Sequence, residues 1–428
     1  MKKSIIFFLC AISATASEAQ MTLQDCLVYA REHAHDNIIN RLDIRKSQLD
    51  KDITASAMMP YLGFTSNGNV SFGRNIDPET NTYDNRKTLS TGFGLSLSLP
   101  VFDGLVNINN LKAAKVAVLR QIKNAQIEED KNSLEVIRAF YNVGYCKTMV
   151  ENVRRQLERD STDLEATRRQ ETLGTKSGAD VAELEAIVAT DIYELTNQSN
   201  LLAKAYIELK GYMGMQPTSD PIDLLETERS IKNEEILLNP EIEEAEYALR
   251  QSRLSLRAAK GAYSPTLSIN AGVSTSYFRM IGDGSQTSAF RDQWRNNMGQ
   301  YLGLTFSMPL FTGLATTKRL KKAYVEVEQS RRRLEKVRYD IEKETSEAAL
   351  DLKAANEEYE AAAGRVRAEE IAHNAIRRKY ELGMSSAIDL YTSSAKLAQA
   401  RANMEGKRIQ SIIAEIILDY YHGIPLIQ

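Results

Sequence analysis

The chain has 428 residues, with 54 Lys or Arg against 57 Asp or Glu, a formal net charge of -3 and a mean hydropathy of -0.36. Beyond the first dozen residues no apolar run approaches the ~18 residues a membrane-spanning helix needs, which excludes a polytopic helical membrane protein. No basic stripe interleaved with aromatics is present, so nucleic acid is excluded as a partner. Proline is scarce, 9 residues in all, against a usual ~5%, and no Pro/Gly/Ser-rich linker divides the chain. Long uninterrupted helices are therefore expected, in place of the several ordinary domains that length alone suggests.

The first residues read as an export signal. Met1-Lys2-Lys3 is followed by an apolar stretch from Ile5 to Ile12 and by small residues leading to Ser17-Glu18-Ala19. Residues 1–19 are assigned as a secretory signal, cleaved after Ala19 or, alternatively, after Ala16. Cys10 lies inside the apolar core of that signal and follows Leu9, not a small residue, which speaks against lipidation. Cys26 and Cys146 each sit in a helical pattern. Two isolated cysteines make no disulfide framework or metal site, and they read as small buried residues whose pairing stays open.

A helical segment at about 22–59 precedes the first strand signals. Over about 61–73, Leu62, Phe64, Val70 and Phe72 alternate with Gly63, Thr65, Asn67, Asn69 and Ser71. Over about 89–100, Leu89, Phe93, Leu95, Leu97 and Leu99 alternate with Ser90, Gly92, Gly94, Ser96 and Ser98. The second half repeats this over about 266–277 and 298–309, with Leu267, Ile269, Ala271 and Val273, then Leu302, Leu304, Phe306 and Met308, on the apolar side. A period of two predicts strands. A soluble antiparallel sheet with one wet face is one solution. A membrane barrel is the other, and it is favoured by an uncharged Gly/Ser/Thr/Asn face and by strands of the length that crosses a bilayer at a tilt. Polar stretches 74–88 and 278–297 then read as outer loops.

The rest is helical. Residues 104–172 and 313–381 contain no proline, and about 69 residues at ~1.5 Å rise extend roughly 100 Å. Return helices are predicted at 178–213 and 386–421. Heptad spacing supports the helices: Ala323, Val327, Ser330, Leu334, Val337 and Ile341 alternate steps of four and three, as do Val188, Ile192, Leu195, Ser199, Leu202, Tyr206, Leu209 and Met213.

One constant shift relates the two halves. Moving the sequence by 209 lays Leu97 to Leu105 over Phe306 to Leu314, Leu173-Gly174 over Leu382-Gly383, Ser177 over Ser386, Asp180 over Asp389 and Gly214 over Gly423. Upstream, Pro60 falls over Pro265. The expected organisation is a tandem repeat, 20–214 and 239–428, joined by a linker at 215–238. Four strands cannot close a transmembrane barrel, whose smallest forms have ~8, and open edges are not tolerated in lipid. Two copies would give eight strands with a filled lumen, and three would give twelve with room for water. The small polar face favours three.

Pro-x-Phe-x-Gly at 100–104 and 309–313, Leu-Gly-x5-Asp at 173–180 and 382–389, and the string Gly73-Arg74-Asn75-Ile76-Asp77-Pro78 together make the chain resemble the TolC-like outer-membrane efflux proteins, over essentially the whole mature length. The last string is similar to that of Bacteroidetes members. The resemblance implies a mainly α fold with membrane β: a trimeric outer-membrane β-barrel, four strands per chain and twelve in total, continued by a long periplasmic α-helical barrel. It implies a passive exit duct of a tripartite efflux or type I secretion system, set in outer-membrane lipid, docked on a periplasmic adaptor and an inner-membrane pump of RND or ABC type. A structural coiled-coil surface protein or adhesin is the alternative, disfavoured by the alternating strands.

In such a duct Asp180 and Asp389 resemble the carboxylates that constrict the tunnel tip. They equally complete Ser177-x-x-Asp180 and Ser386-x-x-Asp389 capping boxes. Where some members have a second acid, this chain has Thr392, with Glu183 in the first copy. The turns Leu173-Gly174-Thr175-Lys176-Ser177 and Leu382-Gly383-Met384-Ser385-Ser386 correspond to the adaptor-docking tip, although the glycines also suit left-handed helix ends. Pro60, Pro100, Phe102, Gly104, Pro265, Pro309, Phe311 and Gly313 mark the barrel–helix junctions, where the aromatics suit either an interface belt or corner packing. Asp103 and Thr312 are placed to cap the long helices. No enzyme, cofactor or metal is expected: His33 and His35 diverge on their helix, Glu128-Glu129-Asp130 reads as a solvated face, and no phosphate loop or nucleophile elbow is present.

Overall fold

A computed structural model describes residues 20–76, 81–85, 87–225, 239–281 and 288–426. The signal 1–19 and residues 226–238 of the linker lie outside these. β1 (Met21–Thr22) leads into α1 (Leu23–His33) and α2 (His35–Ser56). Next come β2 (Tyr61–Ser71), the short strands β3 (Arg74–Ile76) and β4 (Tyr83–Asn85), β5 (Lys87–Phe102), α3 (Val106–Thr172), α4 (Gly178–Met213) and β6 (Leu224–Leu225). The second half holds α5 (Pro240–Gly261), β7 (Thr266–Ile281), α6 (Phe290–Asn296), β8 (Gly299–Ser307), α7 (Ala315–Glu381) and α8 (Ala387–Tyr421). Helices α3 and α7 have 67 residues each.

Two compact units divide the chain. One is drawn from the residues up to Leu42, from Asn124–Pro240 and from Arg338 onward; the other comprises Asp43–Lys123 and Glu241–Val337. In the first, Leu27 of α1, Ile137 and Phe140 of α3, Leu209 and Met213 of α4 and Ile416 of α8 form a common apolar core. Cys26 and Cys146 lie in this core as free thiols, and burial pushes the Cys26 thiol up to about 12. A parallel pair, β1 with β6, ties the chain entry to residue 224.

The helical segment expected over 22–59 is broken. Ala34 is extended (φ -58°, ψ 133°) between α1 and α2. The break is held by side chains: Asn37 Nδ2 donates to Ala30 O at 3.1 Å, and the Arg41 guanidinium donates to the carbonyls of Arg31 and Glu32. Ala30 O also accepts from Ala34 N at 2.9 Å, so Asn37 adds a second bond there, while Arg41 takes up carbonyls that the last turn of α1 would leave unpaired. Gly214, at φ +75°, packs its backbone against His33 and Ala34 at this point.

The second unit is organised by a four-stranded antiparallel sheet in the order β2-β5-β7-β8. Directly opposed residues share a face. The rows Leu62–Leu97–Ala271–Leu302 and Leu99–Ile269–Leu304 put the apolar residues of all four strands on one side. The other side carries Gly63–Ser96–Gly272–Tyr301 and Tyr61–Ser98–Asn270–Gly303. There Ser98 Oγ donates to Asn270 Oδ1 at 2.9 Å, and Asn270 Nδ2 donates to Thr305 Oγ1 at 2.9 Å. Leu62, Phe64, Leu304 and Phe306 are all exposed: among the described residues nothing covers this part of the apolar face, whereas Trp294 packs on it at Phe93.

Two predicted loops contain structure. Within 74–88, β3 pairs with β4. Within 278–297, β7 continues to Ile281 and α6 follows, among the described residues. Partner strand β8 reaches only as far as the Gly299–Ser274 pair. Gln293 of α6 replaces it, accepting from Phe278 N and donating to Phe278 O, both at 2.9 Å, while Asn297 Nδ2 donates to Ser276 O at 2.8 Å. Trp294 packs near Phe93 and Phe290. An amide side chain thus completes the backbone pairing of an edge that is otherwise open.

Along α7 the least exposed positions include Ala323, Ile341, Ala348, Ala355, Ala362 and Val366, at steps compatible with heptad spacing. On α4 the seam differs from the expected one. Ile192 and Ser199 are exposed, and the buried line runs through Val181, Leu184, Ile187 and Asp191 to Tyr206, Leu209 and Met213. Hydrophobicity favoured Ile192, but the helix buries its neighbour Asp191 instead, while Tyr206, Leu209 and Met213 of the expected seam stay buried.

Candidate functional site: hairpin tips and strand–helix junctions

At the first tip, α3 ends in a Schellman turn: Gly174 (φ +73°) donates to Glu171 O at 2.8 Å and Thr175 N to Gln170 O at 2.9 Å. The second tip has the same bonds, Gly383 N to Tyr380 O at 2.9 Å and Met384 N to Lys379 O at 2.8 Å, with Gly383 at φ +71°. Only glycine adopts this conformation without a Cβ penalty. Ser177 and Ser386 then cap α4 and α8 with full capping boxes. Asp180 Oδ2 accepts from Ser177 N at 2.9 Å, and Asp389 Oδ2 from Ser386 N at 3.1 Å. These bonds hold both carboxyls below the usual range, the Ser177 backbone N–H acting most on Asp180 and the Ser386 hydroxyl most on Asp389. Both acids therefore serve as caps and remain charged.

The turns present apolar side chains to solvent. Leu173 is 78% exposed, Leu382 74% and Met384 73%. Lys176 Nζ sits 5.3 Å from the Tyr380 ring centroid, bringing the first turn against the last turn of α7. Leu164, Val181, Leu184 and Ile187, with Tyr380 and Tyr391, pack the two hairpins together behind the tips.

Beside that packing lies a cavity of about 260 Å³ whose lining includes Asp160, Asp163, His373, Arg377 and Tyr391. Asp191 is buried close by; its Oδ1 accepts from Gln156 Nε2 at 2.9 Å. Asp191 Oδ2 and Asp160 Oδ2 are buried, and no donor among the described residues reaches either. Burial first, then the Asp160 hydrogen bond, push the Asp191 carboxyl up to about 7. Burial also raises Asp163, and lowers His373 with help from Arg377 and Arg159. This cluster is absent from the sequence-based expectations; the available signal was an acid continuing the line Val181, Leu184, Ile187.

An acid raised from 3.8 to about 7 contributes stability that is complete below the first value and is lost as pH rises through the second. Asp191→Asn retains a donor toward Asp160 and cannot ionise. Thermal unfolding of this variant is expected to depend less on pH between about pH 4 and 7, with a gain of about 1–3 kcal/mol at the upper end after allowance for solvent screening. An unaltered pH slope would show that the pair does not set it.

At the junctions, Pro60 and Pro265 directly precede β2 and β7, and Pro309 follows β8. Pro100 lies within β5, at a bulge that skips Val101 and lets Phe102 pair with Leu267. A proline there removes no bond that the bulge had not already displaced. The long helices begin two residues later than expected, because Gly104 and Leu105 (φ +70° and +64°) and Gly313 and Leu314 (φ +60° and +64°) are left-handed. Asp103 Oδ2 accepts from Asn107 N at 2.7 Å and Thr312 Oγ1 from Thr316 N at 3.4 Å, so both side chains cap from two residues upstream. Phe311 is 82% exposed: corner packing within the chain does not hold it.

An antiparallel sheet whose apolar face is exposed at Leu62, Phe64, Leu304 and Phe306 suits an outer-membrane channel. The chain belongs to the outer membrane efflux protein family, which it matches over residues 30–215 and 232–423. The outer membrane efflux protein BepC of Brucella suis is 22% identical over 428 residues, spanning 97% of this chain and 89% of its own. The outer membrane protein TolC of Vibrio cholerae is 21% identical over 442 residues, spanning 98% and 94%. The crystal structure of VceC from Vibrio cholerae superposes with a TM-score of 0.76 at 14% identity, covering 94% of this chain and 96% of that one, a likeness of fold. Family members are channels and not enzymes. The chain is an outer-membrane protein whose helical part lies in the periplasm, and it serves as an exit duct for efflux.

Proposed function

We propose that three copies of this chain close a twelve-stranded barrel and a helical tunnel, built from a tandem repeat and receiving cargo from a periplasmic adaptor and an inner-membrane pump of RND or ABC type. The carrying observation is the open sheet: β2 and β8 are its two edges, and Leu62, Phe64, Leu304 and Phe306 of its apolar face are exposed. Unpaired edge groups cost several kcal/mol each in lipid. Closure between copies removes them, with β8 of one copy meeting β2 of the next. The family match in two segments and the common 209-residue offset of α3 and α7 support the repeat. Fractionation followed by an unboiled gel tests the reading: a heat-sensitive trimer band in the outer-membrane fraction is expected, and a soluble periplasmic monomer would end it.

Asp180 and Asp389 are further assigned to the constriction, six carboxylates at one narrow end of the trimer. Like charges held close repel one another and attract cations. Asp180→Asn with Asp389→Asn keeps an oxygen for each cap while removing the charge. In planar bilayers this double variant is expected to lose block by divalent cations and to conduct more. Unchanged conductance and block would leave both residues as caps alone.

A further inference from the structure

The four strands of the sheet are almost without charge, and the exceptions fall in one place. β2 and β8 contain no charged residue, while β5 and β7 contain one each, Lys87 and Arg279. Both are basic, and both lie at the end of the sheet remote from α3 and α5. Lys87 is opposite Ile281 and Leu89 opposite Arg279, so the two cations are diagonal neighbours on one face. It is the apolar face, because Lys87 and Arg279 stand an even number of residues from Leu97 and Val273. Helix α6 adds Arg291 and Arg295 at the same end. Its aromatic rings lie on the apolar face, with Phe290 5.2 Å from Tyr277 and Trp294 5.1 Å from Phe93 between centroids. All four cations are exposed, and none has an ion pair or side-chain hydrogen bond among the described residues. Lys87 Nζ rests 5.6 Å from the Phe72 ring centroid, and Asp292 is the one acid on α6.

Depth identifies the occupant. An outer-membrane barrel carries an apolar band ~25 Å tall, and strands tilted by ~40° climb about 2.5 Å per residue across it, so the band takes about ten residues. On β7 that count runs from Leu267, opposite Phe102 and Phe306, to Tyr277. Tyr277, Phe290 and Trp294 thus form an aromatic rim at the outward edge of the band. Arg279 stands about 5 Å beyond Tyr277 and Lys87, level with Ile281, about 10 Å beyond it, which is the depth of the headgroups. Phe93, Leu95 and Val273 lie on the other side of the rim, toward the middle of the bilayer. From the cations through the aromatic rings to the aliphatic strand face, the order is that of an anionic lipid read from headgroup to chain. A cation facing the hydrocarbon centre is costly and one at its edge is not; with no acid in the four strands, the headgroup supplies the counter-charge.

We propose that this rim binds a phosphate-bearing lipid of the outward-facing leaflet, its phosphate held by Lys87, Arg279 and the α6 arginines and its acyl chains lying along Phe93, Leu95 and Val273. Guanidinium groups suit the role, because their paired N–H donors match two phosphate oxygens. The inference rests on the sheet spanning the outer membrane, as proposed above. The test is native mass spectrometry of the full-length protein in neutral detergent, titrated with diphosphoryl lipid A and with the same lipid stripped of its phosphates. The wild type is expected to retain the phosphorylated form at least ~5-fold better, a preference that falls with salt. K87Q/R279Q/R291Q/R295Q is expected to retain the two forms equally. R250Q/R253Q/R257Q, which removes three cations from α5, is expected to keep the preference. Equal retention by the wild type, or an undiminished preference in the quadruple variant, would overturn the proposal. So would a loss in the α5 variant as large as in the quadruple one, which would show an effect of overall charge. Displacement of the lipid by glycerol phosphate as effectively as by lipid A would also overturn it, showing a site for a free phosphate. An unboiled gel of the same samples reports separately on the barrel. A wild type without the trimer band counts against barrel closure, whatever its lipid preference. If the quadruple variant loses the band, K87Q/R279Q decides the lipid question by the same criterion.

Discussion

Gly104→Ala is expected to deplete the protein from the outer membrane, whereas Gly313→Ala, at the equivalent position of the second half, leaves its level near wild type. Both glycines have positive φ, +70° and +60°, so both substitutions carry left-handed strain of about 1–2 kcal/mol. Their surroundings differ. A Cβ on Gly104 would fall inside van der Waals contact with the Gly261 carbonyl oxygen and 2.6 Å from Ser264 Cβ, while a Cβ on Gly313 meets nothing within 4 Å. The first clash is largely with backbone, at the point where α3 and α5 join the sheet, and overpacking there adds about 1–3 kcal/mol or more. Membrane levels by immunoblot and the thermal midpoint of the purified protein measure the difference. Equal losses for the two variants would show that strain alone, and not the close approach, governs the junction.

The second large effect is expected at the hairpin tips. Leu173→Asp combined with Leu382→Asp should leave the amount and trimer state of the protein unchanged while lowering export at least ~10-fold, about 1.4 kcal/mol or more of docking energy. Both leucines are exposed, follow the last helical turn and contribute to no core of the chain, so the fold loses little. A pair of buried carboxylates in a docked tip would be costly. The readout is resistance to whichever compound the deletion strain becomes sensitive to, with the unboiled gel as control. Full export by the double variant would remove the turns from the docking surface. Gly174→Val and Gly383→Val should act in the same direction, with some fraying of the Schellman turns added.

Much of the site was legible because its signals are local. Ser177-x-x-Asp180 and Ser386-x-x-Asp389 specify capping boxes through bonds three residues apart. Leu-Gly before each box specifies a left-handed helix end. Alternation along β5 needs no partner strand to be read: Phe93, Leu95, Leu97 and Leu99 must share a side of any strand they form. The motifs that carried the resemblance are of the same local kind, which is why the family could be named from them.

What escaped depends on distant partners. Asp191 sits beside Ile192 with no local sign of burial; its partners Asp160 and Gln156 are more than thirty residues away. Gln293 gave no sign that it would stand in for a missing strand, because the shortfall belongs to β8 and not to its own neighbourhood. Ala34 carries no helix-breaking chemistry; Arg41 makes the break tolerable by taking up the Arg31 and Glu32 carbonyls, and Asn37 ties α2 back to Ala30 O.

The sequence by itself determined the periodicities: four strands with one apolar face, two long helices without proline, and turns closed by glycine and serine. Those follow from steric and hydrogen-bonding preferences acting within a few residues. Only the tertiary structure decided that β5 and β7 pair to join the two halves in one sheet, that Gln293 completes the edge of β7, and that Gly104 is crowded while Gly313 is free. Each of these depends on which backbone another segment brings within a few ångströms, and that distance is set by packing.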